Sequence, residues 1–271
     1  MRKAIGIALA LLLIPVLATA QSGTQPGTKK KRPLPPEFGR VIIDTPHADQ
    51  KYPTVQFDHW LHRAKFTCRV CHVDVGFAMK ANGTGIRKED IMTGYYCGAC
   101  HNGSMRHDDR TVFAACADTA TEQELESRCL RCHSGGVKKW QKYDFFKFVV
   151  DLPKERFGNG ISWQEAEVTG KIKPLDYVEG LSFKRRALEI PKDIDIDAKV
   201  EGMNEIIFSH KKHAVWNGCE GCHPEIFSGI KQGLTKFTMM ENFEGKFCGQ
   251  CHLNVAFPMI DCQRCHTKPV Q

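Results

Sequence analysis

The most apolar run of the chain lies at its N-terminus, from Ile5 to Leu17, and only Gly6 and Pro15 interrupt it. Two basic residues precede this run, and the small residues 18–20 follow it. The pattern is typical of a secretory signal peptide, because the run is too short to span a membrane and no stop-transfer segment follows. We therefore predict that residues 1–20 are removed and that the mature chain is exported, to the periplasm or the extracellular space, without a membrane span.

Elsewhere, the polar and apolar positions predict few regular elements. Residues 21–50 are basic and proline-rich, which favours a solvated tether. Residues 136–205 form an aromatic-rich connecting segment that is punctuated by proline and glycine. It predicts one short helix around Lys138 to Val150 and irregular chain after it. A second helix-like stretch, Thr121 to Glu126, is acidic.

The cysteines follow one repeated pattern. Twelve of the thirteen occur in pairs with two residues between them, and a histidine follows each pair directly. The pairs are Cys68 and Cys71, Cys97 and Cys100, Cys129 and Cys132, Cys219 and Cys222, Cys248 and Cys251, and Cys262 and Cys265; the histidines are His72, His101, His133, His223, His252 and His266. Cys116 is outside the pattern, and we assign it no role. Disulfide frameworks and zinc ribbons are the common alternatives, but neither requires a histidine after every second cysteine.

This spacing fits the covalent attachment of haem c. Two cysteines three positions apart lie on the same side of a helical turn, where their sulfurs can reach the two vinyl groups on one edge of a porphyrin. The histidine that follows can then bind the iron as its proximal ligand. The sequence therefore predicts six covalently attached haem c groups.

Six haems in so short a chain also predict the fold class. The mature chain has roughly 40 residues for each porphyrin, too few to build a separate apolar pocket around each one. We expect stacked haems to fill most of the interior. The predicted fold is a multihaem cytochrome c with a few short helices, mostly irregular chain around the haems and a small β-hairpin at the start of each unit.

The formal charge of +7 does not indicate a nucleic-acid partner. Each haem carries two propionates, so six haems add about twelve carboxylates that the sequence does not count. We therefore expect an acidic holoprotein in which lysine and arginine side chains pair with propionates, and we predict no binding to nucleic acid.

The chain contains an internal repeat, because residues 57–101 and 208–252 align without gaps. In both copies a Phe-x-His-x-x-His sequence precedes the first motif: Phe57, His59 and His62 in one copy, and Phe208, His210 and His213 in the other. This matched spacing predicts that the four upstream histidines bind iron. Each copy is followed by a third motif, which predicts two trihaem units at residues 51–135 and 206–271. The first unit has the longer stretch between its second and third motifs.

This pattern resembles the three-haem cytochromes c of the c-seven type, which belong to the low-potential class III multihaem cytochromes. The resemblance covers residues 57–133 and 208–266. It implies that the first upstream histidine is the distal ligand of the first haem in its unit, and that the second is the distal ligand of the next haem. The implied pairs are His59 with His72, His62 with His101, His210 with His223, and His213 with His252.

The third haem of each unit departs from the family pattern. The family commonly has a histidine a few residues before its second motif, and neither unit has one there. Related units can use methionine, which raises the reduction potential relative to two histidines. The candidates are Met239, with Met240 and His47 as alternatives, for the iron on His266, and Met92 or His107 for the iron on His133.

Irons with both axial positions filled leave no open site for a substrate, so the sequence predicts electron transfer rather than catalysis. The resemblance implies anaerobic, metal-type respiration. It implies redox protein partners: an inner-membrane quinol-oxidising complex, other cytochromes and an outer-membrane conduit. Two alternatives stay open. One is a multihaem reductase with an open iron, and the other is a subunit of a polymeric cytochrome filament in which His47 reaches an adjoining subunit.

Overall fold

The computed structural model of the protein describes residues 32–44, 53–116, 121–134, 144–186, 189–229 and 231–269. Residues Pro33–Gln271 form one compact unit. The predicted signal peptide, most of the predicted tether and His47 lie outside the described residues. None of the helices in the described ranges is long and apolar enough to cross a membrane. The domain boundaries given above stay predictions.

Each half of the chain begins with a pair of antiparallel strands. The strands are, in chain order, β1 (Arg40–Ile43), β2 (Val55–Asp58), β3 (Arg106–His107), β4 (Arg110–Thr111), β5 (Ile194–Ile196), β6 (Glu205–Phe208) and β7 (His266–Lys268). β1 pairs with β2 and β5 pairs with β6, so the strand pair predicted for each unit is confirmed. β1 lies within residues 21–50, for which the sequence predicted only a tether. A salt bridge between Arg40 and Asp58, 2.7 Å from Nε to Oδ1, joins residues that face each other across the β1–β2 pair.

The third motif of each half returns to this strand pair. In the second half, β7 pairs with β6 and places His266 opposite Ile206. In the first half, the N–H of Gln56 in β2 donates to the carbonyl of Cys132 over 2.9 Å. The sequence did not predict this additional pairing, which involves residues far apart in the chain.

The helices are short, as the fold class predicted. They are α1 (His59–Arg63), α2 (Lys88–Met92), α3 (Cys97–Cys100), α4 (Glu122–Cys129), α5 (Phe145–Phe148), α6 (Trp163–Val168), α7 (His210–Asn217), α8 (Met239–Phe243) and α9 (Gly249–His252). A π-helical turn covers Val70–Val75, and 3₁₀ turns cover Pro35–Glu37 and Cys262–Arg264. The predicted helix at Thr121 is α4. The predicted helix around Lys138 to Val150 is described only in its last part, as α5.

The connecting segment builds most of the apolar core of the described residues. Its contributions are Phe145, Val149, Leu152, Ile161, Trp163, Ala166 and Ile172; Trp60 of α1 and Ala64, just after α1, complete it. The rings of Trp60 and Phe145 pack edge to face with their centres 5.2 Å apart. We expected mostly irregular chain laid over porphyrin after the first helix. The structure adds the helix α6 and a core of the segment's own, in which aromatic side chains pack together against α1.

A glycine inside the second motif of each half allows the motif helix to lie directly on the preceding helix. A Cβ atom on Gly98 would lie 1.9 Å from the carbonyl oxygen of Ile91, and one on Gly249 would lie 1.8 Å from that of Asn242. Both contacts are with backbone atoms, so no side chain can rotate away to relieve them. The two glycines occupy equivalent positions in the repeat, and so do the two carbonyl groups.

We expect Gly249→Ala to destabilise the protein by about 3 kcal/mol, because the new methyl group must push α9 away from the backbone of α8. The measurement is the midpoint of urea unfolding of the holoprotein, monitored by the absorbance of its haems. Gln250→Ala, one residue further on in the same helix, is the matched control and should change the midpoint little. Equal midpoints for the two variants would contradict the close contact.

Candidate haem-binding site

Most attachment motifs adopt a single helical turn. In four of them the backbone N–H of the histidine donates to the carbonyl of the first cysteine over 2.7–3.0 Å, namely His101 to Cys97, His133 to Cys129, His223 to Cys219 and His252 to Cys248. In the last motif the N–H of Cys265 donates to the carbonyl of Cys262 over 3.2 Å, in a tighter 3₁₀ turn. These turns bring the two cysteines of a motif to one side of the backbone, as the sequence predicted.

The motif histidines are oriented by hydrogen bonds from Nδ1 to backbone carbonyl groups. The contacts are His72 to Phe77 (2.9 Å), His133 to Pro53 (2.7 Å), His223 to Phe227 (2.7 Å), His252 to Phe257 (3.1 Å) and His266 to Asn204 (2.6 Å). A carbonyl oxygen only accepts, so Nδ1 must carry the proton and Nε2 must keep its lone pair. In this tautomer of the neutral ring, Nε2 can bind a metal. The hydrogen bond at Nδ1 fixes the plane of the ring.

The upstream histidines are held in the same way. Nδ1 of His59 lies 2.6 Å from the carbonyl of Gly39, just before β1, and Nδ1 of His210 lies 2.9 Å from the carbonyl of Lys192, just before β5. Nδ1 of His213 lies 2.8 Å from the carbonyl of Ser209. His62 and His101 differ, because within the described residues their buried Nδ1 atoms have no hydrogen bond of good geometry. The backbone of Asp58 and of Phe113 nevertheless lies near enough to raise their pKa values slightly against the effect of burial. These backbone partners could not be predicted from the residue pattern.

The phenylalanine of each Phe-x-His-x-x-His sequence packs against both of its histidines. The ring of Phe57 lies edge-on to His59 at 4.8 Å between centres and against His62 at 4.5 Å. Phe208 makes the same two contacts in the second half, at 5.0 and 4.4 Å. The phenylalanine is therefore a positioning residue for both ligands. Its position in both copies of the repeat was the visible signal for this role.

Three of the four predicted histidine pairs are brought close together, one with nearly parallel rings and two with rings tilted by 58° and 62°. The ring centres are 6.4 Å apart for His59 and His72, with the two rings within 5° of parallel. They are 6.3 Å apart for His62 and His101 and 6.1 Å apart for His213 and His252. For the fourth pair, His210 and His223, no ring contact occurs in the part of the chain that the structure describes.

This separation fits two imidazoles on opposite sides of one metal ion. A metal–nitrogen bond is about 2 Å long and the nitrogen lies about 1 Å from the centre of its ring, so two such rings have centres about 6 Å apart. Among the described residues, no group of three or more histidine, cysteine, aspartate or glutamate side chains could hold a metal ion by itself. The separation of the ring centres leaves room for a metal ion whose other ligands come from a flat group between the two imidazoles, which is the arrangement of a haem iron.

The paired imidazoles are neutral near pH 7. Burial lowers the pKa of His59 to about 4, and the hydrogen bond to Gly39 offsets only part of that change. Burial also lowers the pKa of His62 to about 3 and that of His252 to about 4. A protonated imidazole cannot bind iron, so this environment keeps the lone pair available across the physiological range.

The methionine candidates lie on equivalent helices. Met239 is the first residue of α8 and Met92 is the last residue of α2, and these helices match residue for residue in the repeat. The two positions are four residues apart in the alignment, so both lie on the same helix face, one turn from each other. Met240 lies on a different face and is 66% exposed, against 39% for Met239 and 40% for Met92. The assignment of either methionine to an iron stays a prediction.

The ring of His107 is oriented differently from those of the paired histidines, because its Nε2 atom and not its Nδ1 atom contacts an oxygen. Its Nε2 atom lies 3.2 Å from Oδ2 of Asp108, and its ring packs against Phe66 with the centres 5.0 Å apart. Lys65 also contacts Asp108, at 3.1 Å. In the histidines described above, Nε2 is the nitrogen left for the metal. This orientation favours Met92 over His107 as the partner of His133.

The paired histidines and the repeated motifs define the class of this chain as a multihaem c-type cytochrome. It belongs to the family described as cytochrome c7 and related cytochrome c, whose sequence model matches residues 55–134 and 206–267, just over half of the chain. The two matches correspond to two units in tandem. The fold, with few short helices and small antiparallel sheets, agrees with this family, and the chain binds haem c and transfers electrons.

Solved structures similar to this chain are multihaem proteins as well. The C-terminal hexaheme fragment of GSU1996 is 23% identical, covering 84% of this chain and 97% of its own, with a TM-score of 0.25. The N-terminal hexaheme fragment is 22% identical, with coverages of 84% and 98% and a TM-score of 0.24. The dodecaheme cytochrome c GSU1996 is 21% identical, with coverages of 84% and 74% and a TM-score of 0.24. A search of curated proteins finds no match.

Proposed function

We propose that the protein carries six haems c, all with two axial ligands, and passes single electrons between redox partners outside the cytoplasm. The observation that carries this proposal is the separation of 6.1–6.4 Å between the ring centres of an upstream histidine and a motif histidine in three separate pairs. When bound, haem supplies one-electron chemistry at iron. The residues of this chain supply both axial ligands, so a substrate finds no open coordination position.

Four of the six irons are proposed to have two histidine ligands. Three of these pairs are the ones whose rings lie close together. The fourth, His210 with His223, is supported by the repeat, because the Nδ1 contacts and the phenylalanine packing of His210 match those of His59. The twelve motif cysteines provide the covalent attachments.

For the third haem of each unit, we propose Met239 as the distal ligand of the iron on His266 and Met92 as that of the iron on His133. A thioether in place of an imidazole raises the reduction potential of haem iron. The two units would therefore each combine two low-potential haems with one of higher potential. Such a range of potentials allows one protein to exchange electrons with partners that differ in potential.

We expect Met239→His to lower the potential of one haem and to remove the near-infrared methionine band of that iron, because the new imidazole replaces the thioether. Met240→His is the matched control on the neighbouring helix face and should leave the redox titration and the spectrum unchanged. A shift caused by Met240→His and not by Met239→His would assign the ligand to Met240 instead.

The proposed setting is the periplasm or the cell exterior, in anaerobic respiration. The partners would be redox proteins: an inner-membrane quinol-oxidising complex on one side, and other cytochromes or an outer-membrane conduit on the other. The N-terminal sequence pattern supports export, and covalent haem attachment by paired cysteines suits a protein that works outside the cytoplasm. Cell fractionation of the native host, followed by a haem stain, tests this location.

Low-temperature electron paramagnetic resonance of the oxidised holoprotein, combined with its near-infrared spectrum, tests the proposed function. We expect only low-spin iron, divided between bis-histidine and histidine–methionine sites, and no binding of carbon monoxide after reduction. A high-spin iron that binds carbon monoxide would indicate an open site and a reductase. A mass corresponding to fewer than six haems would contradict the proposed cofactor content.

A further inference from the structure

The side chain of Arg185, in the connecting segment, joins the first attachment motifs of the two halves. Its Nη2 atom lies 2.6 Å from Oδ1 of Asp74, which stands two residues after His72. Its Nε atom lies 3.0 Å from Oε1 of Glu220, which stands between Cys219 and Cys222. One guanidinium group therefore contacts a carboxylate of each motif region at the same time.

The same two motifs also meet directly. Arg69, between Cys68 and Cys71, lies so close to Gly218 that a Cβ atom there would be 2.7 Å from Cδ of Arg69. Gly218 has a φ of +67°, so both its conformation and its surroundings favour glycine. Nη2 of Arg69 is in turn held by the carbonyl of Asp176, at 2.9 Å, and by its carboxylate, at 2.5 Å.

The contact is most deeply buried at Asp74. The Asp74 side chain has no exposed surface, and no group in the described part of the chain donates a hydrogen bond to its Oδ2 atom. Removal of Arg185 would leave a buried carboxylate without its cation, which is far more costly than the loss of an exposed ion pair. Glu220 is 49% exposed, so its half of the contact tolerates change better.

Another contact between the two halves lies near Cys68. Nη1 of Arg63, in α1, donates to the carbonyl of Val255 over 3.2 Å, close behind His252. Arg63 stands five residues before Cys68, so this hydrogen bond ties the chain beside the first motif of the first half to the chain beside the second motif of the second half.

We propose that Arg185 is a positioning residue that holds the haem sites at His72 and His223 against each other and so makes the electronic junction between the two trihaem units. This inference rests on the proposed function, in which both motifs carry haem. Electron transfer slows steeply as the distance between cofactors grows, so the contact that fixes this distance controls passage from one unit to the other. The connecting segment is then part of the electron path and not only a spacer.

The test compares three holoprotein variants after mass spectrometry has confirmed six haems in each. Arg185→Met removes the cation, Arg185→Lys keeps the charge but cannot reach both carboxylates with a planar fork, and Arg186→Met changes the exposed neighbour. A redox titration monitored by nuclear magnetic resonance measures how far oxidation of the haem on His72 shifts the reduction potential of the haem on His223. Hydrogen exchange at residues 67–76 and 217–224 measures the contact independently of the haems.

We expect Arg185→Met to lose at least half of this redox interaction. We also expect its backbone amide hydrogens at residues 67–76 and 217–224 to exchange at least tenfold faster. Arg185→Lys should lie between Arg185→Met and the wild type, and Arg186→Met should match the wild type. The interaction is a better readout than either potential alone, because loss of a positive charge lowers both potentials whatever the distance between the haems.

An unchanged interaction in Arg185→Met would overturn the inference while leaving the proposed function intact. Absence of haem at either motif in the wild type would instead overturn the proposed function. If Arg185→Met yields no holoprotein, Glu220→Gln takes its place, since it weakens one side of the contact at a half-exposed position. Glu220→Gln must then reduce the same redox interaction. A redox interaction equal to that of the wild type would refute the proposed role of Arg185.

Discussion

Replacement of Cys68 and Cys71 together by serine is expected to yield a protein with one haem fewer than the wild type and with a much lower yield. The haem is lost because serine cannot form the thioether bonds that attach it. The yield falls because this motif lies beside α1 and the connecting segment, where Thr67 and Arg69 contact residues 175–176. Haem content is measured by mass spectrometry and by the pyridine haemochrome assay on the purified protein.

The matched comparison is the double replacement of Cys262 and Cys265, at the other end of the fold. That variant should also lose one haem, but with a smaller loss of yield, because no residue of its turn, Cys262–Arg264, is buried, whereas Val70 inside the first motif is. Cys116→Ser is the second control and should retain every haem, although Cys116 lies close enough to Cys97 and Cys132 to influence their pKa values. Loss of haem from Cys116→Ser, or full haem content in the Cys68 and Cys71 variant, would show that the motifs are assigned incorrectly.

His62→Ala is expected to convert one iron of the six from low spin to high spin and to let it bind carbon monoxide after reduction. The reason is that the centres of the His62 and His101 rings are 6.3 Å apart, and no other histidine of the described residues is paired with His101. Electron paramagnetic resonance before and after reduction measures the change. His62→Met should instead keep the iron low spin and raise its potential, since a thioether replaces an imidazole.

His107→Ala is the control for this experiment. Its imidazole faces Asp108 and Phe66, so its removal should leave every iron low spin. A high-spin iron in His107→Ala would identify His107 as a ligand, and the proposal of Met92 for the iron on His133 would then be wrong.

The sequence predicted the parts of this structure that depend on short, repeated spacings. The attachment motifs needed only a cysteine pair with a following histidine, and the distal histidines were visible because Phe57, His59 and His62 recur as Phe208, His210 and His213. Short helices and a strand pair in each unit followed from the limited chain available for each haem. These features are local, so a single sequence contains the information for them.

Contacts between distant residues were not predictable in the same way. The carbonyl groups of Gly39, Lys192, Pro53 and Asn204 fix the rings of four histidines. Every residue, proline included, has the same backbone carbonyl group, so nothing in the sequence marks the ones that accept these hydrogen bonds. The core of the connecting segment was missed for a related reason. Its aromatic side chains could cover a porphyrin or one another, and only the packing of Trp60 against Phe145 decides between these.

The third motif of each half is anchored at equivalent points. His133 is tied to Pro53 and His266 to Asn204, and these two residues occupy matching positions just ahead of the strand that follows. The chain between the second and third motifs is nevertheless much longer in the first half, where it forms β3, β4 and α4. Its length is therefore uncoupled from the placement of the iron ligand. The exposed turn at Asp108 and Asp109, between β3 and β4, is therefore a place where a new recognition loop or an affinity tag could be grafted, whereas Phe113 further along packs against His101 and has to be kept.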